Sequence, residues 1–169
     1  LSGGGAKGAA HAGVLAVLAE ARLPVAAIAG TSAGGIVAVL HGLGYSPAAI
    51  RDYFAETNLL DVWEFDSTRR AIFGVEKIRA RVREMVGDKT FADLTLPVTV
   101  VAVDVNSGRQ VRVSSGRLDE ALLATTAIPG IFTPLIREGM TLVDGGVMNP
   151  LPVDVARAMG SPVVAVDIL

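Results

Sequence analysis

Gly30-Thr31-Ser32-Ala33-Gly34 sets a serine in the spacing G-x-S-x-G, and its flanks decide whether that spacing does chemistry. Before it, Val25-Ala26-Ala27-Ile28-Ala29 reads as a short buried strand; after it, Ile36-Val37-Ala38-Val39-Leu40 continues as an apolar helix. Strand, sharp turn and helix form the context that lifts a serine out of a sheet as a nucleophile. Glycine at 30 and 34 removes side chains that so tight a turn would bring into collision. The turn also sets Ser32 Oγ over a helix N-terminus, whose free N–H groups and dipole favour developing negative charge. A plainer reading is a strand-to-helix turn with a capping serine; the two matching flanks favour the nucleophile.

A serine hydroxyl needs an adjacent base, and the chain has two histidines. His41 follows Ser32 on the same predicted helix, about 13 Å along its axis, which excludes it. His11 falls in the first turn of a helix predicted over Ala9 to Arg22. It shares a face with Val14, Leu15 and Leu18, so it reads as a packed structural histidine. Carboxylates remain. Asp144 ends the apolar strand Thr141-Leu142-Val143, and Gly145-Gly146 let the backbone turn and carry the carboxylate over the sheet edge. Ligands of open α/β sheets bind at such carboxyl ends, and partial desolvation beside Ser32 would raise the aspartate's pKa. A lone Asp-Gly-Gly also makes an ordinary turn. Asp104, which ends the run from Leu96 before Asn106-Ser107-Gly108, is assigned to a turn.

The opening loop, Leu1-Ser2-Gly3-Gly4-Gly5-Ala6-Lys7-Gly8, satisfies G-x-G-x-x-G as written. The dinucleotide fingerprint also requires an acidic residue about 20 residues on, and the second strand ends in Ala29-Gly30-Thr31-Ser32 without one. A phosphate-binding P-loop fails because Gly8, not Ser or Thr, follows Lys7. What survives is a run of side-chain-free residues whose N–H groups can face an anion beside a helix N-terminus. In acyl transfer that anion is the tetrahedral oxyanion, and one such donor is worth roughly 2.7–4 kcal/mol. A nucleotide- or phosphate-binding module built on Gly3 to Gly8 is the alternative; Lys7 is read as solvated.

These residues need a scaffold. The chain has 169 residues, 51% of them hydrophobic, with 19 glycines, which fits one compact domain. A net charge of -2 gives no general reason to expect nucleic acid. The lack of cysteine excludes disulfides and thiolate metal sites, and neither metal nor cofactor is expected. No apolar run reaches membrane-spanning length, which favours a cytoplasmic or membrane-peripheral location. Leu1 directly precedes the glycine loop where a whole strand is expected, so the chain reads as an excerpt lacking most of its first strand. Ser46-Pro47 opens a helix near 47–57. Leu96 to Asp104 is a buried strand with Arg109 to Val113 as its hairpin partner, and helices follow over Leu118 to Thr126 and Pro152 to Met159. Pro162 to Asp167 is the last strand. Strands alternating with helices predict a mostly parallel sheet covered on both faces. Residues 53–73 hold five of the eight aromatics, and six of the fifteen basic residues fall between Arg69 and Arg83. That suits a lid over 53–90 whose residues 53–86 touch an anionic membrane; a small helical excursion with buried aromatics is the preferred, plainer reading.

Three elements thus stand in order: Gly3-Gly4-Gly5-Ala6-Lys7-Gly8, Gly30-Thr31-Ser32-Ala33-Gly34 and Asp144-Gly145-Gly146. Together they resemble the patatin-like phospholipase family over nearly the whole chain. Gly8-Ala9-Ala10-His11-Ala12-Gly13-Val14, Ala127-Ile128-Pro129-Gly130-Ile131-Phe132 and Asn149-Pro150-Leu151-Pro152 add to the likeness. The resemblance implies a single catalytic domain over 1–169 with a three-layer α/β/α sandwich. It implies a Ser32–Asp144 dyad in place of a triad, and an oxyanion hole from Gly3, Gly4, Gly5 and Ala33. Gly8, Gly30, Gly34, Gly145 and Gly146 are its motif glycines. The implied reaction is hydrolysis of acyl esters of lipids without a metal; an acyltransferase on a related scaffold is a further alternative. Thr125-Thr126 stand where the family often carries serine, a departure expected to matter little.

Overall fold

A computed structural model describes residues 1–56 and 80–169. The predicted lid and membrane contact rest mainly on residues 57–79, which lie outside the described residues. Helix α1 (Ala9–Glu20) leads to strand β1 (Ile28–Thr31), then α2 (Ala33–Gly42) and α3 (Pro47–Glu56). Residues 80–86 are helical. There follow β2 (Val98–Asp104), β3 (Arg109–Val113), α4 (Leu118–Thr125), β4 (Leu135–Arg137), β5 (Met140–Asp144) and α5 (Val153–Met159). Ser46 caps α3 through Oγ to the Ala49 N–H at 3.2 Å, with Pro47 in the first turn where its missing N–H costs nothing.

Alternation along the strands sorts the layers. Val98 and Val100 face a large core shared with α1 to α4, including Leu15, Val37, Leu40 and Leu122. Ala102 points the same way, onto Ala124. The intervening Val101, with Ala29 of β1, turns to the opposite face and packs on Val155 and Met159 of α5. β2 is buried at every position, as a strand covered on both faces must be. The architecture is therefore α/β with helices on both sides of the sheet.

The expectation of a mostly parallel sheet is corrected. Among the described residues only β1 and β2 pair in parallel, Thr31 standing opposite Val101; β3 and β5 run antiparallel to β2, and β4 to β5. For β2–β3 and β4–β5 the reason is loop length, since a turn of a few residues can join only antiparallel neighbours. β2 turns into β3 after Asp104, and β4 turns into β5 through Glu138-Gly139, both at positive φ, the backbone a two-residue hairpin demands. Pro162 to Asp167 forms no ladder strand; it runs beside the chain's opening residues, where the Ser2 N–H donates to the Val166 carbonyl at 3.0 Å. Leu1 in turn bonds on either side of Gly30, giving its nitrogen to the Ala29 carbonyl at 2.8 Å and accepting from the Thr31 N–H at 3.2 Å.

Register explains how two distant segments meet. β3 occupies one edge of β2 along Val100 to Asp104. β1, paired to Val98 through Val101, and β5, paired to Ala102 through Asp104, therefore share the other edge and point at one another. Their C-terminal ends, Thr31 and Asp144, come together at Val101 and Ala102. The turn after β1 closes so tightly that a Cβ on Gly30 would fall onto the Gly34 carbonyl. Backbone cannot rotate out of the way as a side chain can. Gly30→Ala is accordingly expected to cost about 3 kcal/mol or more of stability, read from the denaturation midpoint.

Candidate active site

Ser32 stands between β1 and α2 at φ 52 and ψ -119, a conformation that costs a non-glycine residue on the order of 1–3 kcal/mol. Its side chain makes no capping hydrogen bond to α2, so the plainer reading of a capping serine does not describe it. Two buried threonine hydroxyls flank it instead. Thr31 Oγ1 donates to the Asn149 carbonyl at 2.9 Å. Thr125 Oγ1 accepts from the Ser32 N–H at 2.9 Å and donates to the Val101 carbonyl at 2.6 Å.

Asp144 closes β5 and is 4% exposed. Its Oδ1 accepts from the Gly146 N–H at 2.7 Å, and its own N–H donates to the Ala127 carbonyl at 2.9 Å. Burial raises its pKa above the ordinary carboxylate range, against which the Gly146 N–H and a hydrogen bond from the Ser32 side chain act. The serine side chain therefore lies near enough to the carboxylate to act on its ionisation. Asp104, the other aspartate at a strand end, behaves differently. It gathers the Ser107 hydroxyl at 2.7 Å and the N–H groups of Asn106, Ser107 and Thr141. Those donors, Ser107 Oγ foremost, hold its pKa below the ordinary range, which fits the turn predicted for it.

The opening loop lies against the serine, since a Cβ added to Gly3 would stand 3.5 Å from Ser32 Cβ. The Gly3 N–H, however, donates to the Pro150 carbonyl at 2.9 Å. That corrects the expectation of Gly3 as an oxyanion donor: its part is to leave room and to tie the loop to the segment after Asp144. No hydrogen bond among the described residues engages the N–H groups of Gly4, Gly5 or Ala33. Gly5 holds φ 56 with open space where a side chain would project. The remaining motif glycines serve packing. Gly8 sits against the Phe54 ring, Gly34 against the Leu1 and Ser2 carbonyls, and Gly145 against the Val101 carbonyl; Gly146 supplies the N–H to Asp144.

His11 is fully buried, and its Nε2 donates to the Ser2 carbonyl at 2.8 Å. Burial lowers its pKa, so it supports the glycine loop from beneath as a neutral ring. Among the described residues no group of three or more His, Cys, Asp or Glu could hold a metal ion, and no helix is long and apolar enough to cross a membrane. Thr31, Thr125 and Asn149 make hydrogen bonds around Ser32 that sequence reasoning missed. Thr125 binds the Ser32 amide through its hydroxyl, a group that serine would also carry. A threonine at the end of a helix carries no signal of such a bond.

The sequence profile of the Patatin-like phospholipase family matches residues 1–157. An uncharacterized NTE family protein of Mycobacterium tuberculosis is 36% identical over 154 residues, covering 90% of this chain and 43% of the relative. The human patatin-like phospholipase domain-containing protein 6 is 32% identical over 177 residues, covering 99% of this chain and 13% of the relative. The chain thus spans less than half the length of these relatives. Among solved structures, VipD of Legionella pneumophila superposes with a TM-score of 0.67 at 14% identity, over 87% of this chain and 45% of that one. ExoU of Pseudomonas aeruginosa, in its complex with SpcU, gives 0.52 at 21% identity over 76% and 37%. Those two likenesses speak for the fold. With the profile matched from the glycine loop through Asp144 and beyond, the chain belongs to the patatin-like phospholipase family.

Proposed function

We propose that the chain is a serine lipid acyl hydrolase, cleaving carboxylic esters of phospholipids, lysophospholipids or related lipids through an acyl-enzyme on Ser32. One observation carries this reading: the ends of β1 and β5 meet at Val101 and Ala102, setting the Ser32 side chain beside a buried carboxylate whose pKa is raised, next to backbone N–H groups that have no partner among the described residues. Asp144 takes the hydroxyl proton as Oγ bonds to the ester carbonyl carbon. The N–H groups of Gly4, Gly5 and Ala33 receive the negative charge on the carbonyl oxygen. When the tetrahedral intermediate collapses, the C–O bond to the alcohol breaks and Asp144 returns the proton to the departing oxygen. Water then attacks the acyl-enzyme, losing its proton to Asp144, and Ser32 leaves with that proton as the fatty acid is freed.

The family supports a lipid substrate. So do Val147 and Met148, which follow the aspartate's glycines and are 57% and 50% exposed, apolar surface at the place where an acyl chain would enter. Incubation with phospholipids, lysophospholipids and short nitrophenyl esters tests the proposal. Release of free fatty acid from the lipids is the expected result. Transfer of the acyl group to an alcohol without release would support an acyltransferase, and dinucleotide binding unaffected by loss of Ser32 would support the phosphate-binding alternative.

A further inference from the structure

We propose that Thr125 is a positioning residue for the nucleophile, an inference that rests on Ser32 being that nucleophile. The Thr125 hydroxyl has one proton and can accept another, and both capacities are directed. It donates to Val101 at the point on β2 where β1 and β5 end, and it accepts from the Ser32 N–H. The side chain is fully buried, so water cannot replace either bond. Ser32 holds φ 52 and ψ -119, which its own preferences oppose. A hydrogen bond to its amide fixes the peptide plane at the point of strain and anchors it to the central strand. The bond also takes the Ser32 N–H out of reach of the substrate, leaving oxyanion contact to the glycine loop and Ala33. The methyl group has a separate task, packing where a Cβ on Gly35 would stand 3.0 Å from Thr125 Cγ2.

Hydroxyl and methyl can therefore be separated by substitution. Thr125→Val keeps the shape and removes both hydrogen bonds; Thr125→Ser keeps the bonds and removes the methyl. Thr126, whose Oγ1 donates to the Leu122 carbonyl at 2.7 Å, supplies the control Thr126→Val at the same helix end. Each protein is titrated with a fluorophosphonate to count reactive serines, and kcat per reactive site and KM are measured on a nitrophenyl ester. Thr125→Val is expected to lower kcat per site by about tenfold to a hundredfold, the cost of a misplaced nucleophile, with KM nearly unchanged. Thr125→Ser and Thr126→Val should keep the wild-type kcat per site, even where the melting temperature falls. A purely structural threonine would reduce the number of reactive sites and the melting temperature but not the turnover of each remaining site, and that result overturns the proposal. If Thr125→Val does not fold, Thr125→Ser decides alone: loss of kcat per site with the hydroxyl retained contradicts it. A wild-type chain that neither labels nor hydrolyses ester fails at the earlier step, the assignment of Ser32 itself.

Discussion

Ser32→Ala is expected to lower kcat for ester hydrolysis by on the order of 10^6-fold, the scale on which a serine acting as a unit with its base fails when removed. The change deletes only Oγ. Alanine keeps the amide that Thr125 holds and occupies the same strained backbone, so the fold and its melting temperature should stay close to wild type. The N–H donors around the glycine loop also stay, and they set whatever slow hydrolysis remains. Turnover measured with a nitrophenyl ester checks this. A Ser32→Ala protein with near-normal turnover would mean that the hydroxyl at the end of β1 is not the attacking group.

Asp144→Asn is expected to lower kcat by about 10^4-fold, the upper end of what one general base contributes. The amide has nearly the same shape and its oxygen can still accept from the Gly146 N–H, but it cannot take the serine proton. Two pH effects accompany the loss. Only ionised Asp144 can act as base, and burial raises its pKa, so wild-type hydrolysis should fall on acidification at a pH above the ordinary aspartate range. Stability moves the other way. A group whose folded pKa exceeds its unfolded value contributes stability below the unfolded pKa, and that contribution is lost as pH rises through the folded pKa. At neutral pH the Asp144 carboxylate therefore opposes folding. Asp144→Asn should melt higher than wild type near neutrality, and the difference should vanish once the pH drops below the ordinary aspartate range. A variant that melts lower at every pH would contradict the burial cost assigned to this carboxylate.

The strand–turn–helix around Ser32 was legible because everything that makes it lies within a dozen residues: apolar strand, Gly30, Ser32, Gly34 and apolar helix. Asp144 was legible too, but on a premise that the sheet does not keep. The carboxyl-end rule assumes parallel strands, whereas β5 runs antiparallel to β2 and meets β1 head to head along one edge. Strand direction depends on which segments pair, and the deciding element, β4, is a three-residue strand, Leu135–Arg137, too short and mixed to show a period. The threonine contacts were illegible for a related reason. Thr125 reaches Ser32 across 93 residues of sequence and Thr31 reaches Asn149 across 118, and no local spacing encodes either. Gly3 shows the limit of motif reading at a single atom: its place beside Ser32 follows from the glycine run, whereas the engagement of its N–H by Pro150 follows only from the fold.

The pairing of Ser32 with Asp144 is tested most directly by the rate at which a fluorophosphonate labels the chain, followed by intact mass and by mapping of the modified peptide. Wild type and His11→Ala should each take up one adduct, on Ser32, at similar rates, and Asp144→Asn should label about a hundredfold more slowly or worse. Labelling of Asp144→Asn at the wild-type rate, or its loss in a folded His11→Ala, would contradict the carboxylate as the serine's base.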